Sequence, residues 1–156
     1  MTLEEDIMRV LTQTRDEIRA NMASKGINAS GRTSASLEVQ EYNGGMRLVF
    51  AAGNVAPMET LEIGRPGGKV PYEMTDIIVQ WSKDKGLNWG DEKQRRKIAG
   101  AVAWGRIRKI GTQRHWDKSK RADIYSTPVE RAKERLRAVV GAAILAHIKE
   151  VANTNF

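Results

Sequence analysis

Two short stretches carry residue types that chemistry would need. The first is Gly64-Arg65-Pro66-Gly67-Gly68-Lys69, a glycine-rich run ending in lysine. A Walker-type phosphate loop needs four residues between its first glycine and the Gly-Lys pair, then Ser or Thr, then a helix. Here three residues intervene and Val70-Pro71 follows. Pro71 biases Val70 towards an extended conformation. The run therefore reads as a sharp turn whose glycines let it adapt to a neighbour, not as a nucleotide site. The second stretch, residues 111–121, reads Gly-Thr-Gln-Arg-His-Trp-Asp-Lys-Ser-Lys-Arg. It is basic, lacks periodicity and holds one aromatic, so it is expected to be a mobile loop that touches a partner.

Other chemistry is harder to assemble. His115 and His147 lie in different elements, and neither belongs to a pair spaced to ligate zinc. The chain has no cysteine, which excludes disulfides and thiolate sites. No nucleophile elbow, kinase signature or calcium loop is present. Glu59 and Glu62, and Asp91 and Glu92, are paired carboxylates, but they stand at ordinary turn and helix-start positions. The expectation is a protein with no catalytic, cofactor or metal residues, and not an enzyme. A nuclease is the enzyme class that these residues would have to hide.

The charge is uneven. The whole chain carries 26 Lys and Arg against 19 Asp and Glu, a net +7. Residues 1–90 hold 10 basic and 12 acidic side chains; residues 91–156 hold 16 and 7. One half is thus slightly acidic and the other strongly basic, as expected where a face meets nucleic acid or an acidic protein surface. Arg95, Arg96, Arg106, Arg108, Arg114, Lys118, Lys120 and Arg121 are candidate phosphate contacts, with Trp104 or Trp116 to stack on a base. Solvated helix faces would give the same counts. The start is acidic and amphipathic, unlike a secretory signal. The longest apolar-rich run, residues 138–148, is too short to span a membrane. A soluble chain in a reducing cytoplasm is expected.

These residues need elements to position them. The length suits a single domain over residues 1–156. Leu3, Ile7, Leu11, Thr14, Ile18 and Met22 form an amphipathic stripe, so residues 2–23 should be helical, with Thr2 and Glu5 as a capping box. Residues 26–36 read as loop. Residues 34–41 and 46–52 alternate apolar and polar, and Asn43-Gly44-Gly45 supplies a tight turn, which predicts a hairpin. Residues 61–63 and 123–125 are candidates for further short strands. Residues 72–85 and 91–110 predict two middle helices. The first should bury Met74, Ile77, Ile78 and Trp81; the second contains Gly100 and Gly105, which close packing would justify. Thr127-Pro128-Val129-Glu130 announces a long last helix with Thr127 as its cap. Gly141-Ala142-Ala143 on that helix is a small-residue patch that permits near approach of a partner helix. The fold class is α+β: a long N-terminal helix, a small antiparallel sheet built on a hairpin, two middle helices and a long C-terminal helix.

One family resemblance emerges from this order. A first helix, Ala29-Ser30-Gly31-Arg32-Thr33-Ser34, a hairpin, and Leu61-Glu62-Ile63-Gly64-Arg65 before a Pro-opened helix resemble the small neck proteins of tailed bacteriophages. These are the head–tail joining, tail-completion or minor tail proteins. Ser30-Gly31-Arg32 and Leu61-Glu62-Ile63-Gly64 fall where that family carries its Ser-Gly-Arg and Leu-Glu-x-Gly motifs. Residues 91–110 and the basic stretch after them depart from the shortest members and resemble longer versions, such as those of crAss-like gut phages.

The resemblance implies a structural virion protein, one subunit of a six- or twelve-fold ring in the neck. Its implied partners are further copies of itself, the portal or adaptor, and tail proteins, with packaged DNA passing nearby and no membrane. It implies assembly in the host bacterial cytoplasm. On this reading the acidic half of one subunit meets the basic half of a neighbour. The interface residues would be Arg65, Lys69, Arg114, His115, Trp116, Lys118, Lys120 and Arg121. The rival reading from charge alone is a small basic DNA-binding protein.

Overall fold

The computed structural model describes residues 2–27, 31–51, 58–120 and 122–154. Within them the chain is α+β: a long N-terminal helix, a two-strand antiparallel hairpin, middle helices, and a long C-terminal helix packed on the first.

Helix α1, Leu3–Ser24, starts at the expected capping box. The Glu5 N–H donates to Thr2 Oγ1 at 3.2 Å, and the Thr2 N–H donates to Glu5 Oε2 at 2.7 Å. Val10, Thr14, Ile18 and Met22 recur every fourth residue and are buried. Thr14 is tolerated there because its hydroxyl donates to the Val10 carbonyl at 2.8 Å. Gly26, at φ +62°, ends the helix. The loop expected after it contains a single helical turn, α2, Arg32–Ala35. Arg19 holds this turn, donating to the carbonyls of Ser34, Ala35 and Leu37.

Strands β1, Leu37–Tyr42, and β2, Gly45–Phe50, pair with Leu37 opposite Phe50 and Tyr42 opposite Gly45. Asn43 and Gly44 both have positive φ, the signature of a two-residue hairpin turn matched to strand twist. Leu37, Leu48 and Phe50 turn inwards onto Ile18 and Met22. The second strand stops at Phe50, and position 52 of the predicted strand lies outside the described residues, as do positions 29 and 30 of the motif after α1.

The two candidate extra strands are not strands. Residues 61–63 belong to α3, Met58–Ile63, and residues 123–125 form a bend ahead of the last helix. A three-residue apolar run has no periodicity to separate helix from strand. The two segments do meet: the Ala122 N–H donates to the Glu62 carbonyl at 3.2 Å. Leu61, Ala122 and Ile124 complete a first core with Ile18, Met22 and Leu37.

Helix α4, Met74–Asp84, and the helix that follows it make a second core of Ile78, Val79, Ala99 and Ala103. The predicted buried stripe is rotated. Ile78, Val79 and Ser82 face in, while Ile77 and Trp81 are 54% and 42% exposed. Small Ala99 and Ala103 opposite let the α4 backbone come close on that side. Ser82 is satisfied there, donating to the Val79 carbonyl and accepting from Arg95 at 2.8 Å. Trp81 sits at the rim, 6.3 Å from the Trp89 ring.

The second middle helix is continuous but not uniform. It is α5, Glu92–Gly100, then a π-helical stretch, Ala101–Ile107, then α6, Arg108–Ile110. Among the described residues, nothing approaches the positions a Cβ would take at Gly100 or Gly105, so close packing within them is not their reason. They are weak helix formers placed where the helix leaves α geometry. Two short turns follow, α7, Gln113–Trp116, and a 3₁₀ turn, Lys118–Lys120.

Helix α8, Ser126–Thr154, is 29 residues long and packs on α1. Thr127 is not its cap, and Glu130 pairs with Lys133 instead of closing a box. The capping comes from elsewhere. The Tyr125 and Ser126 N–H groups donate to Glu62 Oε2, each at 3.2 Å, and the Ser126 hydroxyl donates to Glu62 Oε1. The Thr127 N–H donates to Asp123 Oδ1 at 2.9 Å. Orphan donors at a helix start and the positive end of its dipole both favour carboxylates. Arg135 ties α8 to Glu17 of α1 at 2.8 Å.

Two predictions follow from the α8 start. Glu62→Ala should cost about 2–3 kcal/mol, because charge-assisted bonds are lost and donors are left unpaired; urea unfolding measures it. For Asp123, hydrogen bonds from the Thr127 side chain and then its backbone hold the pKa below the ordinary carboxylate value. The stabilisation is therefore complete above the unfolded value of about 3.9 and disappears as pH falls through the folded one. Melting curves of wild type and Asp123→Asn should differ at neutral pH and converge in acid.

Candidate interaction surface

The glycine-rich run lies across the end of α6. The Gly68 N–H donates to the Arg108 carbonyl at 2.7 Å. The Arg65 N–H donates to Thr112 Oγ1 at 2.8 Å, and the Thr112 N–H returns to the Arg65 carbonyl at 2.9 Å. Carbonyls at a helix C-terminus have no partner within the helix, so the loop supplies one. The approach is too close for side chains: a Cβ on Gly67 would stand 2.7 Å from the Lys109 carbonyl oxygen, and one on Gly111 2.3 Å from that of Arg65. Gly111 also has φ +79°. The glycines thus serve a fixed internal contact instead of leaving a loop to adapt. Two of the N–H groups that a phosphate cradle would require are engaged within the chain.

This clamp decides what the loop presents. The Arg65 guanidinium turns back and donates to the Lys69 carbonyl. Lys69 is exposed, Val70 is buried beneath it, and Tyr72 stands 88% exposed. Lys69, Val70 and Tyr72 face Trp104 and Arg108 across a shallow hollow. The Arg108 guanidinium sits 5.5 Å from the Trp104 ring centroid, at cation–π range. Trp104 is 39% exposed. Two aromatics and two cations therefore share one open surface.

The other predicted interface residues are distributed differently. His115 is half-buried in α7, with its Nδ1 buried and without a hydrogen-bond partner among the described residues. Trp116 is 52% exposed and Lys118 is exposed. The side chains of Arg114 and Lys120, and all of Arg121, lie outside the described residues. Among the candidate phosphate contacts, Arg95 is tied to Ser82 and the Leu87 carbonyl, and Arg96 to Asp76 at 2.6 Å. Lys69 thus joins Trp104 and Arg108, which charge and stacking had singled out. Tyr72 was read only as a helix start; its signal was an aromatic beside a helix-opening proline.

Among the described residues, no group of three or more His, Cys, Asp or Glu could hold a metal ion. No helix among them is long and apolar enough to cross a membrane.

The clamp predicts opposite outcomes for two glycines on one helix and its terminus. Gly111→Ala combines backbone strain with a steric clash and should cost about 2–4 kcal/mol. Gly105→Ala enters open space in helical backbone and should raise stability by roughly 0.5 kcal/mol. Urea titrations of both variants against wild type check the pair. Compared with known protein families, with curated proteins and with solved structures, the chain matches none.

Proposed function

We propose that this chain is a structural subunit of the neck of a tailed-phage virion, one copy of a ring that joins the DNA-filled head to the tail and lets DNA pass. The observation that carries the proposal is the far half of α8. Val140, Ile144, Leu145, Ile148 and Val151 are 37–60% exposed along one helix. A run of large apolar side chains held in water is a surface made for covering by protein. The motifs behind the resemblance also have definite structural work. Leu61 fills the core, Glu62 caps α8, and Gly64 takes φ +80° to end α3. Arg32 reaches Asp84 at 3.5 Å, linking α2 to α4.

On this reading the chain makes and breaks no covalent bond and needs no cofactor. It works by contact with its own copies, with the portal or adaptor on one side and with tail proteins on the other. It is assembled in the host cytoplasm and stays in the virion neck.

The hollow bounded by Lys69, Tyr72, Trp104 and Arg108 favours a second reading, a small basic DNA-binding protein. Exposed aromatics beside cations suit single strands, which stack on the rings while phosphates meet the charges.

Infection by a phage genome deleted for this chain discriminates. The neck reading expects heads full of DNA without tails in electron micrographs, and antibody against the chain labelling the neck of wild-type virions. Normal infectious virions without the chain would overturn it. The DNA-binding reading expects affinity that falls steeply with salt and is lost in Trp104→Ala.

A further inference from the structure

We infer that the exposed apolar stripe of α8 in one copy seats in the trough along α1 of the next copy, a head-to-tail contact between two different surfaces. The inference deepens the neck-ring reading and rests on it for the purpose of the assembly. The contact itself is argued from four features of the chain.

The first is the match of extents. The trough runs along α1 from Thr2 to Ala20 and is closed at one side by Met46 of β2. The apolar stripe runs along α8 from Leu136 to Val151. At the rise of an α-helix the stripe is about 22 Å long and the trough about 27 Å, so the stripe fits within it.

The second is apolar complementarity. Met8, Ala20 and Met46 line the trough. Leu136, Val140 and Ile144 line the hollow on α8, around Gly141, above which a Cβ would meet nothing. That dent lets another helix come near, the use expected of the small-residue patch, and none of the described elements of the same copy occupies it.

The third is charge. Glu4, Glu5 and Asp16 line the trough against a single cation, Arg9, whereas Lys133 and Arg137 border the α8 hollow. Over the whole helices, α1 carries five acidic and three basic side chains, and α8 carries five basic and three acidic. Lys133 and Arg137 do pair with Glu130 and Glu134 on their own helix. Such exposed pairs one turn apart contribute little and leave the cations able to turn to a neighbour.

The fourth is geometry. The two helices of one copy are already packed on each other, and Arg135 of α8 is bonded to Glu17 at the edge of the trough, which fixes their pairing. The stripe therefore cannot fill its own trough. A contact between unlike surfaces repeats from copy to copy and closes into a ring when the rotation allows.

The absence of native cysteine makes the test clean. Val140→Cys chains are mixed with Met8→Cys chains under mild oxidation, and the mass of each mixed product is measured. The inference expects disulfide-linked pairs that contain one chain of each kind. Linked pairs of Val140→Cys chains alone, meaning α8 against α8, would overturn it. In parallel, sedimentation of the unmodified chain across the micromolar range is compared with Ile144→Glu and Ile148→Glu. Both positions are more than half exposed, so the variants should keep the wild-type circular dichroism. Each should raise the half-association concentration at least about tenfold. A wild-type chain that stays monomeric throughout, or association untouched by both variants, would also overturn the inference. Tailless heads on deletion would then still support the neck reading. Conversely, cross-linking as expected with normal virions on deletion would keep the contact and remove the neck.

Discussion

The Glu62 carboxylate at the start of α8 is the interaction on which the remaining architecture depends. It accepts from Tyr125 and from both donors of Ser126, in a site where it is only 9% exposed. A buried carboxylate is costly unless its oxygens are satisfied, and a helix start is costly unless its donors are. Each problem solves the other. Because Leu61 beside it belongs to the first core, the cap also fixes where α8 leaves that core. The line of α8 along α1, and the direction in which its apolar far half points, follow from this one placement.

A second fastening governs the other half of the molecule. The first core is built by α1, the hairpin, α3 and the segment before α8; the second by α4 and the helix after it. Between them runs the glycine-rich loop, bonded to α6 and to Thr112. Lys85, donating to the Gly26 carbonyl, and Arg32, paired with Asp84, add polar links at the opposite side. The aromatic and cationic hollow exists because the clamp sets Lys69 and Tyr72 beside the helix that carries Trp104 and Arg108. Loosening the clamp would separate the two walls without altering any residue in them.

What could be read from the sequence was local. The capping box of α1, its four-residue stripe and the Asn43-Gly44 turn are patterns within a few residues, and their partners lie inside the same pattern. The misreadings are tertiary. Trp81 looked like a core residue because its own helix offered no other side; Ala99 and Ala103, some twenty residues later, select the Val79 side. Thr127 looked like a cap because nothing near it advertised Glu62. Residues 61–63 could not be assigned from three side chains. At the candidate surface the residue types were legible, since Lys69, Trp104 and Arg108 are all conspicuous in sequence. Their meeting was not, because it depends on a loop crossing a helix end more than thirty positions away. Arg19 gave no signal at all, being one more arginine on an amphipathic helix until three carbonyls converge on it.

The cap of α8 has a temporal side. Glu62 precedes the donors it receives by 63 and 64 positions. A growing polypeptide therefore carries the acid, unmatched, well before the ribosome delivers the helix that needs it. Long-range closure of this kind is among the slow steps of folding. The apolar far half of α8 is made later still than its cap. A chain stopped before Val140 lacks that half and has no such surface to present to a neighbour.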